Sequence, residues 1–193
     1  MTVWHWVRHG PTHAKAFVGW RDVAADLSDT DQLARLRAHL PDQAVVISSD
    51  LSRARATADA ITGPGHRRLP HDPHLREMHF GQWDGMHFDA VSARDPDLSR
   101  AFWEAPGDIT APQGESWNMT SARVQAAVTR ISAQHPGQHI IAVAHFGVIL
   151  TQLQRALGVS AYEVLGHAID NFSVTTIDQR APAKAASQIN HLP

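Results

Sequence analysis

Cysteine is absent from the 193-residue sequence. Disulfide bonds and thiolate metal ligands are therefore excluded, and the absence fits a reducing compartment, so we expect a cytoplasmic protein. Lysine is almost absent as well, since only Lys15 and Lys184 contribute to the 17 basic residues. The arginine excess is explained most simply by composition bias, but arginine also binds phosphate through a planar, bidentate fork.

Long hydrophobic runs are missing too. The longest, residues 140–150, is interrupted by His145 and Gly147 and is too short to span a bilayer. The short apolar stretch at residues 2–7 lacks the features of a signal peptide. The net charge is −2 without a run of one sign, so we expect neither nucleic acid nor membrane as a partner. The length predicts one domain over residues 1–193, as a monomer or homodimer.

Apolar runs alternate with amphipathic segments along the chain. Strands are predicted at residues 3–7, 44–47, 139–144 and 173–177, with a weak one at 67–69. Helices are predicted at 32–40, at 51–61 after the capping residues Ser48, Ser49 and Asp50, at 117–134 after Ser116, and at 146–157 before Gly158. Residues 71–115 are interpreted as an irregular insertion with short helices at 88–93 and 98–104. The tail at 181–193 is predicted to be loosely ordered.

This alternation indicates an α/β fold, a three-layer αβα sandwich with a mainly parallel sheet covered on both faces. Ligands of such sheets gather beyond the carboxyl ends of the strands. His9 follows the strand predicted at 3–7, residues 49–53 follow the one at 44–47, and His145 follows the one at 139–144. Three segments that are distant in sequence are therefore predicted to meet at one edge.

The residue types in these segments suit phosphoryl chemistry. A neutral imidazole such as that of His9 is a competent nucleophile, and the adjacent Arg8 supplies positive charge for phosphoryl oxygens. Arg53 lies in the first turn of a predicted helix, where its charge opposes the helix dipole unless an anion is bound. The competing interpretations are structural histidines at positions 9 and 145 and a solvated surface arginine at position 53.

Six stretches together resemble the histidine phosphatase superfamily, which also contains the cofactor-dependent phosphoglycerate mutases. They are Val7-Arg8-His9-Gly10 with Thr12; Gly19-Trp20 with Asp22; Ser49-Asp50-Leu51 with Arg53-Ala54 and Thr57-Ala58; Leu75 with Glu77, Phe80-Gly81, Trp83 and Gly85; Pro112 with Gly114-Glu115-Ser116; and Ala144-His145 with Gly147-Val148. The resemblance covers about residues 3–177.

The resemblance implies a phosphoglycerate mutase-like fold and a metal-independent phosphomonoesterase without a cofactor. His9 would carry the phosphoryl group as a phosphohistidine, while Arg8, Arg53 and His145 would hold the phosphoryl oxygens. Glu77 would be the general acid and then the general base. We expect Glu77 to be partly desolvated, because burial favours the protonated carboxyl group. Asp84 and Glu115 are the rival carboxylates.

Further residues are assigned with less support. The resemblance places Thr12 and Lys15 among the phosphate-binding residues, although Lys15 stands where the family often has Asn, and Pro11 where it often has Glu or Gln. Trp103 or Trp117 is interpreted as part of a lid. The substrate pocket is predicted to include His13, Trp20, Arg21, Gln82 and Glu115.

Three other functions compete with a phosphatase. A metal enzyme is suggested by His66, His71, His74 and His79, but their spacing fits no pattern of paired ligands, so no metal site is predicted. A non-catalytic module that binds a phosphorylated ligand is a second alternative. A mutase is the third, disfavoured because the mutases carry a basic insertion where residues 101–109 are acidic and aromatic. The expected substrate is a small phosphorylated molecule; a sugar or nucleotide-derived monoester, a ribazole phosphate and a phosphoprotein all stay open.

Overall fold

The computed structural model describes residues 2–180 and 185–193, which form six strands and seven α-helices. The strands are β1 (Val3–Arg8), β2 (Ala44–Ser48), β3 (His66–Arg68), β4 (His139–Ala144), β5 (Val174–Asp178) and β6 (Ala186–His191). The helices are α1 (Thr30–His39), α2 (Ser52–Ile61), α3 (Phe88–Arg94), α4 (Pro96–Glu104), α5 (Trp117–Gln134), α6 (Phe146–Leu157) and α7 (Ala161–Val164). Short 3-10 turns span Pro73–Leu75 and Gly81–Trp83.

The six strands form one sheet in the order β3-β2-β4-β1-β5-β6. Strands β1 to β4 run parallel, whereas β5 is antiparallel to β1 and β6 is antiparallel to β5. Strand β4 lies between β1 and β2, with Ile140 opposite Trp4 on one side and Val45 on the other. The carboxyl ends of β2, β4 and β1 are therefore neighbours at one edge of the sheet.

Both faces of the sheet are covered by helices. Trp4 and Trp6 of β1 belong to a core that includes Val128 of α5 and Leu150 of α6. On the opposite face, residues of β1, β2 and β4 pack with helices α1 and α2, where Leu36 is fully buried. The predicted α/β sandwich with a mainly parallel sheet is confirmed.

The helix termini match the sequence signals at two of three places. The Ser116 hydroxyl accepts a hydrogen bond from the Met119 amide at the start of α5, and Gly158 ends α6 with φ +67°. The predicted caps of α2 are wrong, because Leu51 occupies the cap position without a side-chain hydrogen bond. A remote carboxylate replaces them: Asp22 Oδ1 accepts from the Ser52 amide at 2.7 Å.

No helix in the described ranges combines the length and the apolar character that crossing a membrane requires.

The carboxyl-terminal region differs from the prediction. Residues 181–184 of the expected loose tail lie outside the described residues, but β6 is an ordered strand paired with β5, so β5 is not the last strand. The sequence of β6 shows no apolar pattern. Strand β6 lies at the edge of the sheet and is held by backbone pairing and polar contacts. The Asn190 amide group, for example, donates to Asp170 Oδ2 at 2.8 Å.

The irregular insertion is tied down at several points. Helices α3 and α4 correspond to the two short helices predicted there. Gly81 has φ +53°, and a Cβ atom at this position would lie 2.1 Å from the Pro112 carbonyl oxygen, so the close approach of these two loops requires glycine. Trp117 is not part of a lid, because it is buried in the core and its indole donates to Gln154 Oε1 at 2.7 Å. Trp103 is half-buried, and its ring stacks on that of Phe17.

A truncation on α1 tests the packing of helices α1 and α2 against the sheet. Leu36→Ala should lower the free energy of unfolding by about 2–5 kcal/mol, because it removes a fully buried side chain from a packed core. Leu33→Ala on the same helix is the matched control, since Leu33 is only partly buried there and should cost clearly less. Urea denaturation measures both values; equal losses would contradict this packing.

Candidate active site

His9 lies directly after β1, at the carboxyl edge of the sheet. Its backbone amide donates to the Ala144 carbonyl at 3.1 Å, and its own carbonyl accepts from the Asn171 side chain at 2.7 Å. The His9 ring is 7% exposed, and its Nδ1 lies 2.6 Å from the Gly10 carbonyl oxygen. Because a carbonyl oxygen only accepts hydrogen bonds, Nδ1 carries the proton and Nε2 keeps a free electron pair.

The turn after His9 is anchored to helix α2. The Gly10 amide donates to the Thr57 hydroxyl at 2.9 Å, and that hydroxyl donates to the Arg53 carbonyl at 2.7 Å. A Cβ atom on residue 10 would lie 2.8 Å from side-chain atoms of Leu27 and Phe172, so this packing leaves room only for glycine. Thr57 thereby links the nucleophile candidate to the helix that carries Arg53.

His145 follows β4 and is completely buried. Arg53 Nε donates to its Nδ1 at 3.3 Å, so the imidazole proton must sit on Nε2. That Nε2 atom is buried and has no hydrogen-bond partner in the described part of the chain. The centroids of the His9 and His145 rings are 5.0 Å apart. One ring therefore offers an electron pair on Nε2, and the other offers a hydrogen-bond donor on Nε2.

Arg53 is 1% exposed although it lies in the first turn of α2. Its guanidinium donates to the carbonyl oxygens of Arg21 at 2.8 Å and Gly19 at 2.7 Å. The Asp84 carboxylate fixes this acceptor loop by accepting from the Gly19 amide at 3.1 Å and the Arg21 amide at 3.0 Å. The groups that accept hydrogen bonds from Arg53, which are backbone carbonyls and the His145 ring, are all neutral.

Arg8 is also held by a neutral group. Its Nη1 donates to the Ile169 carbonyl at 2.5 Å, its guanidinium lies 5.6 Å from the Phe146 ring centroid, and its Nε is buried without a partner among residues 2–180 and 185–193. Within the same residues, neither Arg8 nor Arg53 forms an ion pair with a carboxylate. A buried and a half-buried cation without such partners favour an anion beside them.

This concentration of positive charge acts on the titratable groups. Burial lowers the pKa of both guanidinium groups, Arg8 and Arg53, and the Glu77 carboxyl group opposes this shift. Burial and the charge of Arg53 lower the pKa of His9 to about 3. The same two causes lower the pKa of His145 well below its usual value. Both imidazoles are therefore neutral near pH 7.

Glu77 lies at the amino terminus of helix α6 and is 7% exposed. Its Oε1 accepts from the amide of Met78 at 2.9 Å and from the amide of Gly147, in the first turn of α6, at 3.1 Å. A Cβ atom on residue 147 would lie 2.6 Å from Glu77 Oε1, so glycine at this position makes room for the carboxyl group. The carboxyl group is therefore largely buried and lies at the start of the helix that follows His145.

Of the less certain candidates, Trp20 lies beside this group, with its indole N–H donating to the Glu77 carbonyl at 2.8 Å. Thr12 is half-buried in the turn after His9, whereas His13 and Lys15 are exposed. His13 pairs with Asp26 at 2.9 Å.

Three pocket candidates are engaged elsewhere. The exposed side chain of Arg21 packs against Gly85, and its backbone carbonyl serves Arg53. Gln82 accepts a hydrogen bond from Arg94. The Glu115 carboxylate pairs with Arg123 at 2.7 Å. These contacts give no support to a role of Gln82 or Glu115 in lining the pocket.

The sequence interpretation missed three residues that shape this region. Asn171 holds the His9 backbone, Asp84 holds the loop that bonds to Arg53, and Arg123 contacts the loop that carries Glu77. Asp84 was noticed only as a rival acid. The one available signal for Arg123 is its spacing of eight residues from Glu115 across the start of a predicted helix.

The histidines considered as metal ligands do not come together. His66 bonds to the Pro41 carbonyl, His71 to Ser48, His74 to Asp72, and His79 accepts from the Gly81 amide. Within the described ranges, no group of three or more potential ligand side chains is arranged to hold a metal ion.

Comparison with known proteins identifies relatives over most of the chain. The sequence profile of the histidine phosphatase superfamily (branch 1) matches residues 5–191. Phosphoglycerate mutase-like protein 4 from Arabidopsis thaliana is 34% identical over 78% of this chain and 69% of its own length. The metal-independent phosphoserine phosphatase of the same plant is 30% identical over 76% of this chain and 62% of its own length. The chain spans 36% of the length of three further curated relatives, which come from mycobacteria.

A solved structure agrees with the fold over nearly the whole chain. The α-ribazole phosphatase from Shigella flexneri superimposes with a TM-score of 0.81 at 25% identity, covering 98% of this chain and 96% of that one.

The protonation state of His9 is directly measurable. Because burial and Arg53 lower its pKa to about 3, the His9 ring should stay neutral and protonated on Nδ1 from pH 8 down to about pH 4. Nitrogen-15 NMR of the imidazole in the folded protein distinguishes both tautomers and the cation. The urea-unfolded protein is the reference, since the pKa of its histidines is about 6.5. A His9 midpoint near that reference value would contradict the proposed burial and charge environment.

Proposed function

The chain belongs to the histidine phosphatase superfamily (branch 1), and from this premise we propose that it hydrolyses a small phosphomonoester through a phosphohistidine on His9. The observation that carries the proposal is the pair of buried imidazoles, 5.0 Å apart, whose Nε2 atoms have opposite hydrogen-bonding character. They share the edge of the sheet with the guanidinium groups of the buried Arg53 and the half-buried Arg8, which have no carboxylate partner in the described part of the chain.

In the first step, the electron pair of His9 Nε2 forms a bond to phosphorus while the bond from phosphorus to the leaving oxygen breaks. The protonated Glu77 carboxyl group gives its proton to the leaving oxygen. Arg8, Arg53 and the His145 Nε2–H group hold the phosphoryl oxygens as charge develops on them. The Nδ1–H bond to the Gly10 carbonyl disperses the positive charge that the His9 ring acquires.

In the second step, Glu77 is a carboxylate and takes a proton from water. The water oxygen forms a bond to phosphorus, the bond from phosphorus to His9 Nε2 breaks, and its electron pair returns to the nitrogen. Phosphate leaves, and Glu77 is protonated again for the next cycle.

Magnitudes indicate which part of the site matters most. General acid catalysis contributes about 10²–10⁴-fold, whereas enzymes accelerate phosphate monoester hydrolysis by up to ~10²¹-fold. Most of the acceleration must therefore come from positioning and from the positive charges of Arg8 and Arg53. Arginines that fill this role supply the charge that a metal ion supplies in other phosphatases, which supports metal-independent catalysis.

The names of the relatives support a small substrate. Two of them are phosphatases of phosphoserine and of α-ribazole phosphate, which are both small monoesters. A mutase is the second candidate, because another relative is named phosphoglycerate mutase-like. Hydrolysis is favoured here because residues 101–109 contain Glu104 and Asp108 and no lysine or arginine.

A rapid-quench experiment tests the covalent intermediate. With ³²P-labelled aryl phosphate and EDTA present, the wild-type protein should acquire acid-labile, base-stable label before phosphate appears. His9→Ala should acquire no label and lose turnover while remaining folded. His87→Ala is the matched control, since His87 is an exposed histidine beside Asp89 and outside the site.

Each other outcome identifies a different function. Turnover that EDTA abolishes would indicate a metal enzyme. Turnover without label under single-turnover conditions would indicate direct attack by water. Binding of phosphate without any turnover would indicate a non-catalytic module.

A further inference from the structure

Arg123 on helix α5 uses every hydrogen-bond donor that an arginine has. Its Nη1 donates to the carbonyl oxygens of His74 and Arg76, both at 2.8 Å. Its Nη2 donates to the Glu77 carbonyl at 2.9 Å and to Glu115 Oε2 at 2.7 Å, and its Nε donates to Glu115 Oε1 at 2.7 Å. With all five N–H groups engaged in the protein, none is left for a substrate.

Glu115 completes the attachment from the other side. Its Oε2 accepts from the His79 amide at 2.9 Å and from the Thr120 hydroxyl at 3.2 Å, besides its bonds to Arg123. The Arg123–Glu115 pair therefore fastens three carbonyl groups and one amide of residues 74–79 to the start of helix α5. Glu77 lies in the middle of this segment.

The loop that carries Glu77 is held by contacts with other parts of the fold, which include the Arg76–Asp50 pair and the Trp20 indole besides Arg123 and Glu115. It has no regular hydrogen-bonding pattern between the 3-10 turns at Pro73–Leu75 and Gly81–Trp83. The only bonds of the Glu77 carboxyl group in the described part of the chain go to the amides of Met78 and Gly147, and the latter belongs to another element. A small shift of the backbone would therefore move the carboxyl group relative to helix α6 and His145.

We propose that Arg123 is a positioning residue that, together with Glu115, holds residues 74–79 so that the Glu77 carboxyl group reaches the leaving-group oxygen. The proposal rests on the proposed function and extends it to residues that touch neither substrate nor reacting atoms. The pair is well shielded, because the side chains of Arg123 and Glu115 are 15% and 13% exposed. Shielding strengthens their charge-assisted hydrogen bonds.

The choice of leaving group separates positioning of an acid from general loss of structure. An alkyl phosphate needs a proton on its leaving oxygen, whereas nitrophenolate leaves readily as an anion. A misplaced acid therefore lowers kcat/KM for an alkyl phosphate far more than for p-nitrophenyl phosphate. A protein that is merely less folded loses both activities to the same extent.

The central variant is Arg123→Lys, which keeps the positive charge but cannot form the same five-donor network. It should lower kcat/KM for ethyl phosphate about 10–100-fold, since a misplacement of 1 Å costs up to about 10²-fold. The value for p-nitrophenyl phosphate should fall less than about 3-fold. Glu77→Gln gives the loss of kcat/KM expected when the acid is absent. Glu115→Gln should change kcat/KM for both esters in the same direction as Arg123→Lys.

Arg130→Lys is the matched control. Arg130 lies two turns further along the same helix and pairs with Asp72, the residue that precedes the same loop. It has the same kind of ion pair but no bond to the backbone around Glu77. Its leaving-group dependence should equal that of the wild-type protein. Equal loss on both esters in Arg123→Lys, or no loss on either, would overturn the proposal.

A second readout does not depend on turnover. The Gly147 amide proton reports on its hydrogen bond to Glu77, and its NMR signal should move in the same direction in Arg123→Lys as in Glu77→Gln. An unchanged Gly147 signal in Arg123→Lys would overturn the positioning role. If the wild-type protein hydrolysed neither ester, the proposed function would fail, and this signal would still decide whether Arg123 positions Glu77.

Discussion

The rest of the site depends on two positive charges, those of the buried Arg53 and the half-buried Arg8, which pair with no carboxylate among the described residues. A buried guanidinium group is costly unless its donors are satisfied. Arg53 is stabilised by two carbonyl groups and by the His145 ring, and Arg8 by one carbonyl group. Neutral acceptors satisfy the hydrogen bonds, while the carboxylates that act on the two arginines, Glu77 among them, do so without forming an ion pair with either. In the proposed function, a bound phosphoryl group supplies a negative charge in direct contact with both arginines.

The fold makes this arrangement possible because three adjacent parallel strands end at the same edge. Their carboxyl ends deliver Arg8, His9 and His145, and helix α2 delivers Arg53. Side chains on other loops fix the acceptors, as when Asp84 holds the carbonyl groups that Arg53 needs. The opposite tautomers of the two histidines are consequences of the same network, since a carbonyl group sets one and an arginine sets the other. The proposed catalytic groups are therefore held in place by contacts within the protein itself.

Much of this was predictable from the sequence, and the failures have physical causes. Apolar runs predict strands β1, β2 and β4. The polar residues that follow these strands predict which segments lie together at the edge of the sheet. Strand β6 was not predicted, because an edge strand held by backbone pairing need not carry an apolar pattern. The capping of α2 by Asp22 and the Arg123–Glu115 network were not predicted. Both depend on contacts between segments that are separate in the sequence, and local sequence patterns do not indicate such contacts. Glu115 was recognisable as part of a motif, but its partner could only be identified in three dimensions.

A crystal structure with orthovanadate tests the central claim most directly, because pentavalent vanadium takes the geometry of a phosphoryl group in transfer. The account predicts vanadium bonded to His9 Nε2, with its oxygens contacting Arg8, Arg53 and the Nε2–H group of His145. The Glu77 carboxyl group should face the oxygen opposite His9. Vanadate bound away from His9, or held without either arginine, would contradict the account.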